Sequence, residues 1–583
     1  MGGLPVGAPL PPRPKVRPAR SEPLGRRGRT VDVIIDRTTD TGPTRAQRLA
    51  RTLLAGVSGI LAAGVALGVA ELVAVAIGPT SSPVVAVGQG VIRLTPEWAK
   101  EFAIRTFGQQ DKVALVSGTF ILLAIAAFVL GLVAVRWRRA GLVGVALFGA
   151  VGAVAALAQP GAGPATVIPS LVGAVAGIVA LAALARQFGG VAPTGPAGEG
   201  PVEDAATAAP AGSLLSRYMQ DRKGPGFNRR GFLISSGAAL AVAVAAGGAG
   251  RRLLQQRFDV AGARAALRLP APKSAAPALP AGVDLELAQL TPFVTPNRDF
   301  YRVDTAIVLP QVDPDTWQLR IHGRVRRELT LTFDELKSRD LIERDITLTC
   351  VSNEVGGNLA GQARWLGVPL KDLLSEAGVD PGADQVVTTS ADGWTCGTPT
   401  KSCLTTPDAM LAIAMNGEPL PIAHGFPVRM LVPGLYGYVS GTKWIVDMEL
   451  TTFDAFDPYW VKRGWKADGP IKVASRIDTP RGLSETRAGR TVKVAGVAWA
   501  QTRGIDEVEV RVDRGPWQRA TLAAQANVDT WRQWVWDWTP TGSGLHTLEV
   551  RATDGDGVVQ TETRRPPFPD GSTGWHNVVV TVT

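Results

Sequence analysis

Residues 345–358 read DITLTCVSNEVGGN. β-Formers alternate here so that Ile346, Leu348 and Cys350 fall on one face of a strand, and a polar turn with Gly356 and Gly357 stops it. A cysteine at the last position of such a strand is either a small buried hydrophobe or a thiolate presented at the rim of a cleft. The pattern alone leaves both readings open.

Outward from this strand, residues 284–465 mix short strands (WQLRIHG, QVVTTSA, PVRMLVP) with amphipathic helical segments (TFDELKS, GVPLKDLLSEAG). An α+β domain is expected there. Residues 470–583 carry only strand patterns separated by turn signals, among them TVKVAGVAWA, EVEVRVD, WRQWVWDW, HTLEVRATD and HNVVVTVT. Their alternation and spacing predict an all-β, immunoglobulin-like sandwich.

Toward the N-terminus the composition changes. Residues 1–51 are rich in Arg and Pro and are read as a basic, disordered cytoplasmic tail. Apolar stretches follow at 53–77, 113–135, 141–158 and 166–185, each about long enough to cross a hydrocarbon core, so 52–186 reads as a four-helix transmembrane region. After a linker at 187–228, residues 229–251 form a fifth apolar helix. With five spans, the basic tail, the turn holding Arg136, Arg138 and Arg139, and the linker with Arg217, Arg222, Lys223, Arg229 and Arg230 lie on one side. The N-terminus is then cytoplasmic, and everything after Arg251 lies outside the cell membrane.

The fifth helix opens NRRGFLISSGAALAVAVAAGG, the pattern of a twin-arginine export signal: paired arginines, Phe-Leu, and a modestly hydrophobic helix of small residues. Such a signal implies the twin-arginine machinery as a partner and a passenger exported already folded. Arg229 and Arg230 also suit ordinary positive-inside anchors. Residues 252–283, rich in Ala and Pro, are expected to be a stiff spacer lifting the next domain off the membrane. The net charge of +10 is spread along the chain, and no basic patch interleaved with aromatics points to nucleic acid.

The segments LTCVSNEVGGN, ARWLGVPLKDLL and DAMLAIAMNGEPLPIAHGFPVRMLVPGLYGYVSGTKWI together resemble the sulfite oxidase family of molybdopterin enzymes. The resemblance covers about half the chain, all of it after the fifth helix, and includes the β-sandwich, which in that family is a dimerisation domain. It implies molybdopterin and molybdenum as cofactors, with Cys350 the thiolate ligand of the metal. A soft, deprotonated sulfur suits a high-valent metal that also takes the dithiolene sulfurs of the pterin. It further implies that Tyr301, Arg302, Ser390, His424, Arg429, Gly441, Thr442 and Lys443 bind pterin, phosphate or substrate, Arg302 being the remaining candidate to orient substrate.

The departures bear on the substrate. Where the family places an arginine for sulfite, this chain continues Cys350, Val351, Ser352, Asn353, Glu354, Val355. The family's active-site tyrosine falls at Ile413, and its Arg-Asn-His becomes Arg302, Val303, Asp304. An anion would meet fewer cations, so a small molecule other than sulfite is expected, with electrons exchanged with a separate redox partner. A cofactor-free module that only binds a partner on the same fold is the alternative.

Cys396 and Cys403 close a small loop; a disulfide and a pair of reduced buried thiols both fit that spacing. The four histidines, His322, His424, His546 and His576, all lie beyond the fifth helix, so the membrane helices are not expected to hold bis-histidine haem. Glu71 in the first span is read as a carboxylate snorkelling to the outer surface.

Overall fold

The computed structural model describes residues 45–78, 81–96, 111–159, 162–188, 227–257, 259–306 and 308–583. Most of the tail 1–51, most of the linker 187–228 with Arg217, Arg222 and Lys223, and the stretch 97–110 lie outside the described residues. The chain divides into two units, Met1–Ala50 and Arg51–Thr583; of the first, only the start of a helix is described.

Five helices among the described residues are long and apolar enough to cross a membrane: Arg45–Ile77, Asp111–Arg136, Arg138–Leu157, Ile168–Arg186 and Arg229–Arg257. Close approach of the first and second of these requires small residues. A Cβ on Gly59 would run into the carbonyl of Ala127, and one on Gly131 into that of Ala55. Glu71 is not simply a snorkelling group, because it accepts a hydrogen bond from Ser82, the residue that caps the short helix Pro83–Leu94.

The expected spacer departs from its reading. Its start folds as a helix, Val260–Ala266, with Val260 buried beside Phe300 and Trp365. Arg264 donates to the carbonyls of Pro419 (2.7 Å) and Leu420 (2.8 Å), and Glu343 donates its N–H to the Ser274 carbonyl at 2.9 Å. Alanine and proline suit an extended linker, but Arg264 and Val260 give this one a docking face.

Ten strands build the next region: β1 (Gln318–Gly323), β2 (Leu329–Thr332), β3 (Ile342–Thr349), β4 (Ala360–Pro369), β5 (Gln385–Ser390), β6 (Thr395–Pro399), β7 (Met410–Met415), β8 (Glu418–Pro419), β9 (Arg429–Leu431) and β10 (Ile445–Thr451). They form two sheets, ordered β2-β1-β10-β5-β6 and β3-β4-β7-β8, with β9 paired to β7. Asn416 and Gly417, both at positive φ (53° and 78°), make the tight turn between β7 and β8. The helix Phe333–Lys337 opens with a capping box between Thr332 and Glu335. Leu370, Leu373 and Leu374 of the helix Leu370–Ala377 pack with Leu319, Ile321, Leu411 and Ile413 in one core.

The remainder is β-rich: β11 (Ala474–Thr479), β12 (Glu485–Thr486), β13 (Val492–Trp499), β14 (Ile505–Val512), β15 (Gln518–Arg519), β16 (Thr521–Leu522), β17 (Arg532–Trp538), β18 (Gly544–Asp554) and β19 (His576–Val582). Its sheets run β11-β13-β17-β16 and β12-β19-β18-β14-β15. Ile477, Val494 and Trp534 from the first share a core with Val508, Leu548 and Val580 from the second.

Candidate active site

Cys350 sits one residue beyond β3, at the neck of a loop that β3 and β4 close behind it. Its N–H donates to the Leu359 carbonyl (2.9 Å), and its carbonyl accepts from Asn353 N–H (3.0 Å). Asn353 Oδ1 in turn accepts from Leu359 N–H at 2.8 Å, so the loop is held by its own polar groups. The thiol is free and buried. Burial pushes its pKa up, while the N–H and hydroxyl of Ser352 and the charge of Lys443 pull it down.

β3 has two different buried faces. Ile346 and Leu348 enter a core with Phe300, Ala363 and Trp365. Thr347 and Thr349, on the other face, are also buried, against Gln501 and Trp531 of the C-terminal β region.

Around the cysteine loop, side chains from separate segments converge. Tyr301 stacks on Phe300 (ring centroids 5.2 Å), and burial, then the neighbouring Cys350, raises its pKa. Arg302 donates to both carboxylate oxygens of Asp304 (2.8 and 3.3 Å), a bidentate pair. The same Asp304 binds Lys443 Nζ at 2.7 Å, and Lys443 also reaches the Ala423 carbonyl (3.3 Å).

Arg429 opens β9 and is 6% exposed. Its guanidinium lies 5.0 Å from the Trp365 ring centroid and donates to the His424 carbonyl at 3.3 Å, while its Nε is buried without a hydrogen-bond partner. Burial brings its pKa down to about 10. His424 Nε2 donates to the Asn297 carbonyl (3.3 Å), leaving Nδ1 as an acceptor. Burial, then Arg429 and Lys443, lowers the imidazole to about 4, so it is neutral at pH 7.

Gly425, at φ +113°, lets the turn between these groups close: an added Cβ would sit 2.9 Å from Arg429 Cβ and 3.2 Å from Lys443 Cα. Gly441 faces the same guanidinium, an added Cβ falling 3.4 Å from Arg429 Nη2 and 2.9 Å from the Gly437 carbonyl. Thr442 is fully buried with its hydroxyl 2.6 Å from that of Thr388. Ser390 ends β5 opposite Ile445, its hydroxyl engaged with its own turn at Asp392 N–H (3.5 Å).

Tyr301, Arg302, His424, Arg429, Gly441 and Lys443 are thus brought together, with Thr442 and Ser390 supporting the segment from behind. Ile413 points into the core beside Leu411. Glu354 is exposed. Cys396 and Cys403 are free, buried thiols, so the reduced alternative holds, and burial pushes Cys396 up to about 11. Among the described residues no group of three His, Cys, Asp or Glu side chains is gathered as metal ligands. Sequence reasoning missed Ser352 beside the sulfur, Asn297 behind His424 and Tyr436 near Cys350, whose phenol burial raises to about 12. None carries a motif of its own, since each acts through position in the fold.

These elements define a molybdopterin-binding oxidoreductase fold. The family model described as "Oxidoreductase molybdopterin binding domain" matches residues 306–460. Mitochondrial sulfite oxidase of Homo sapiens is 30% identical over 345 residues, covering 50% of this chain and 62% of that protein. An uncharacterized oxidoreductase of Bacillus subtilis, YuiH, is 31% identical over 161 residues, covering 27% of this chain and 76% of that protein. The sulfane dehydrogenase SoxCD from Paracoccus pantotrophus is similar in structure with a TM-score of 0.44 and 23% identity, over 50% of this chain and 84% of that one. The chain belongs to the sulfite oxidase family of molybdopterin-dependent oxidoreductases, whose cofactor is molybdopterin carrying molybdenum. It spans 62% of the length of the human relative.

Proposed function

We propose that the protein is a membrane-anchored oxidoreductase whose molybdopterin site lies outside the cytoplasm and acts on a small molecule other than sulfite. The observation that carries this reading is the convergence of Cys350, the His424–Arg429 segment and Lys443 from three separate stretches of chain. Arg429 Nε, buried without a partner, together with the cradle left by Gly441, fits an anionic group from the cofactor. Arg429, Lys443, Thr442 and Gly441 would hold pterin or phosphate, His424 would offer Nδ1 to a donor, and Cys350 would ligate the metal, with Tyr301 and Ser390 at the margins.

When bound, the cofactor supplies oxygen-atom transfer at molybdenum, with electrons exchanged with a redox partner. This chain's own residues orient and shield. Arg302, about a third exposed, is the group best placed to meet substrate, but it is already engaged by Asp304, which it shares with Lys443. Such a site favours a neutral, polar substrate such as a sulfoxide or N-oxide over an anion.

The five apolar helices support membrane anchoring, and Arg229–Arg230 at the start of the fifth support twin-arginine export of the folded domain. Residues 284–465 would form the cofactor domain and 470–583 an immunoglobulin-like sandwich capable of homodimerisation. Full-length protein loaded with cofactor tests the substrate class, using sulfite against neutral S- and N-oxides with redox dyes. Turnover of a neutral oxide with little sulfite oxidation is expected; sulfite as the best substrate would overturn the reading.

A further inference from the structure

The loop that begins at Cys350 has its far side on the C-terminal β region. Arg476 Nη1 donates to the Gly357 carbonyl (2.7 Å), and Ser572 Oγ to the Asn353 carbonyl (2.6 Å). Gly356, at φ +80°, lies against the His576 ring, where a Cβ would collide. His576 is fixed in turn, its Nδ1 accepting from Ile477 N–H at 3.0 Å.

The strand leading into the loop is gripped the same way. Thr347 N–H donates to the Asp529 carbonyl (3.0 Å), and its hydroxyl accepts from Trp531 N–H (2.8 Å). Gln501, fully buried, donates to the Thr347 carbonyl (2.9 Å) and the Thr349 hydroxyl (3.2 Å). Asn527 donates to the Asp345 carbonyl at 3.0 Å.

We infer that the C-terminal β region positions the Cys350 sulfur, with Gln501, Arg476 and Ser572 as positioning residues for the strand and loop that carry it. The inference rests on the reading of Cys350 as the metal ligand.

The clamp is rigid where it needs to be. Arg476 is 7% exposed and is itself held by Asp478 (2.6 and 3.4 Å) and Thr291 (2.9 Å), so it meets Gly357 with little freedom to follow a moving loop. A charged donor to a carbonyl is among the stronger hydrogen bonds. Ser352, whose two donors face the sulfur, lies between Cys350 and the anchored Asn353, so a loop freed at Asn353 and Gly357 would let those donors and the sulfur drift together. Supporting groups of this kind set the orientation of a metal ligand without touching the metal.

The test uses full-length Ser572→Ala, Arg476→Gln and, as the conservative control, Arg476→Lys. One readout is the rate at which a maleimide labels Cys350 in cofactor-free protein, resolved by peptide mass spectrometry. The other is the electron paramagnetic resonance spectrum of the one-electron-reduced metal in loaded protein. Losing one such bond is expected to raise labelling about five- to tenfold through local opening. Arg476→Gln should also shift the spectrum, and Arg476→Lys should return both readouts toward wild type, with the melting temperature little changed. Wild-type labelling rates and spectra in both Ser572→Ala and Arg476→Gln would overturn the inference. Should Arg476→Gln not fold, Ser572→Ala decides it alone. Wild-type protein that takes up no molybdenum would instead sink the ligand reading, and the labelling comparison would still decide the clamp.

Discussion

Lys443 Nζ lies 2.7 Å from Asp304 Oδ2, and the same oxygen takes Arg302 Nε at 2.8 Å. One carboxylate, with its side chain 4% exposed, therefore bridges two cations of the site. Asp304→Asn is expected to destabilise cofactor-free protein by about 3 kcal/mol, because breaking a buried pair leaves charge uncompensated. Millimolar inorganic phosphate should then raise the melting temperature of the variant more than that of the wild type. Equal phosphate shifts in the two proteins would show that Asp304 does not govern anion affinity.

Arg429 presents the opposite balance. Its burial costs desolvation, and the protein partners given to it are a carbonyl at 3.3 Å and the Trp365 ring. Replacing it with Met should leave cofactor-free stability unchanged or improve it by about 1–2 kcal/mol. Retention of molybdopterin should fall at least about tenfold, equivalent to about 1.4 kcal/mol. Calorimetry with pterin quantification checks both, and a large loss of stability without loss of pterin would contradict this assignment.

His424 and His576 both fall from 6.5 to about 4 on folding, chiefly through burial. Each binds its proton less tightly when folded, so the stability it contributes is whole above pH 6.5 and is lost as pH drops from 6.5 through 4. The limiting slope is about 1.4 kcal/mol per pH unit for each. Asp529, raised to about 6 by burial, runs the other way: its contribution is present below 3.8 and lost as pH rises through 6. The difference between wild type and His424→Gln isolates one histidine. Denaturant unfolding in detergent should show the variant's pH slope shallower by about one proton in this window.

How far such features can be read from sequence depends on which surface covers a residue. The turn at Asn416 and Gly417, the Thr332 capping box and the strand ending before Cys350 are local, and their residue types announce them. Tyr301 and Arg302 stand more than 100 residues before His424, Arg429 and Lys443, yet the fold gathers them beside Cys350. The threonines of β3 are polar and alternate with its apolar residues, yet Thr347 is 1% exposed beneath Gln501 and Trp531. Periodicity reports the polarity of a face but not what lies against it. For the same reason the docking of Arg264 on Pro419 and Leu420, and the bond from Ser82 to Glu71, were not legible.

Arg229 and Arg230 open the fifth apolar helix. Replacing both with Lys keeps the charge that sets orientation but removes the paired arginines of an export signal. The catalytic region should then remain on the cytoplasmic side, protected from protease added to intact spheroplasts. Unchanged protease sensitivity would mean that these arginines serve only as anchors.

The most direct test of the central claim is the molybdenum and pterin content of the full-length protein, purified from cells that make molybdopterin, beside Cys350→Ser. Wild-type protein with close to one molybdenum per chain and a clear loss in the variant is the predicted result. Folded wild-type protein that carries no more metal or pterin than the variant would contradict it, leaving Cys350 a buried thiol at the end of its strand.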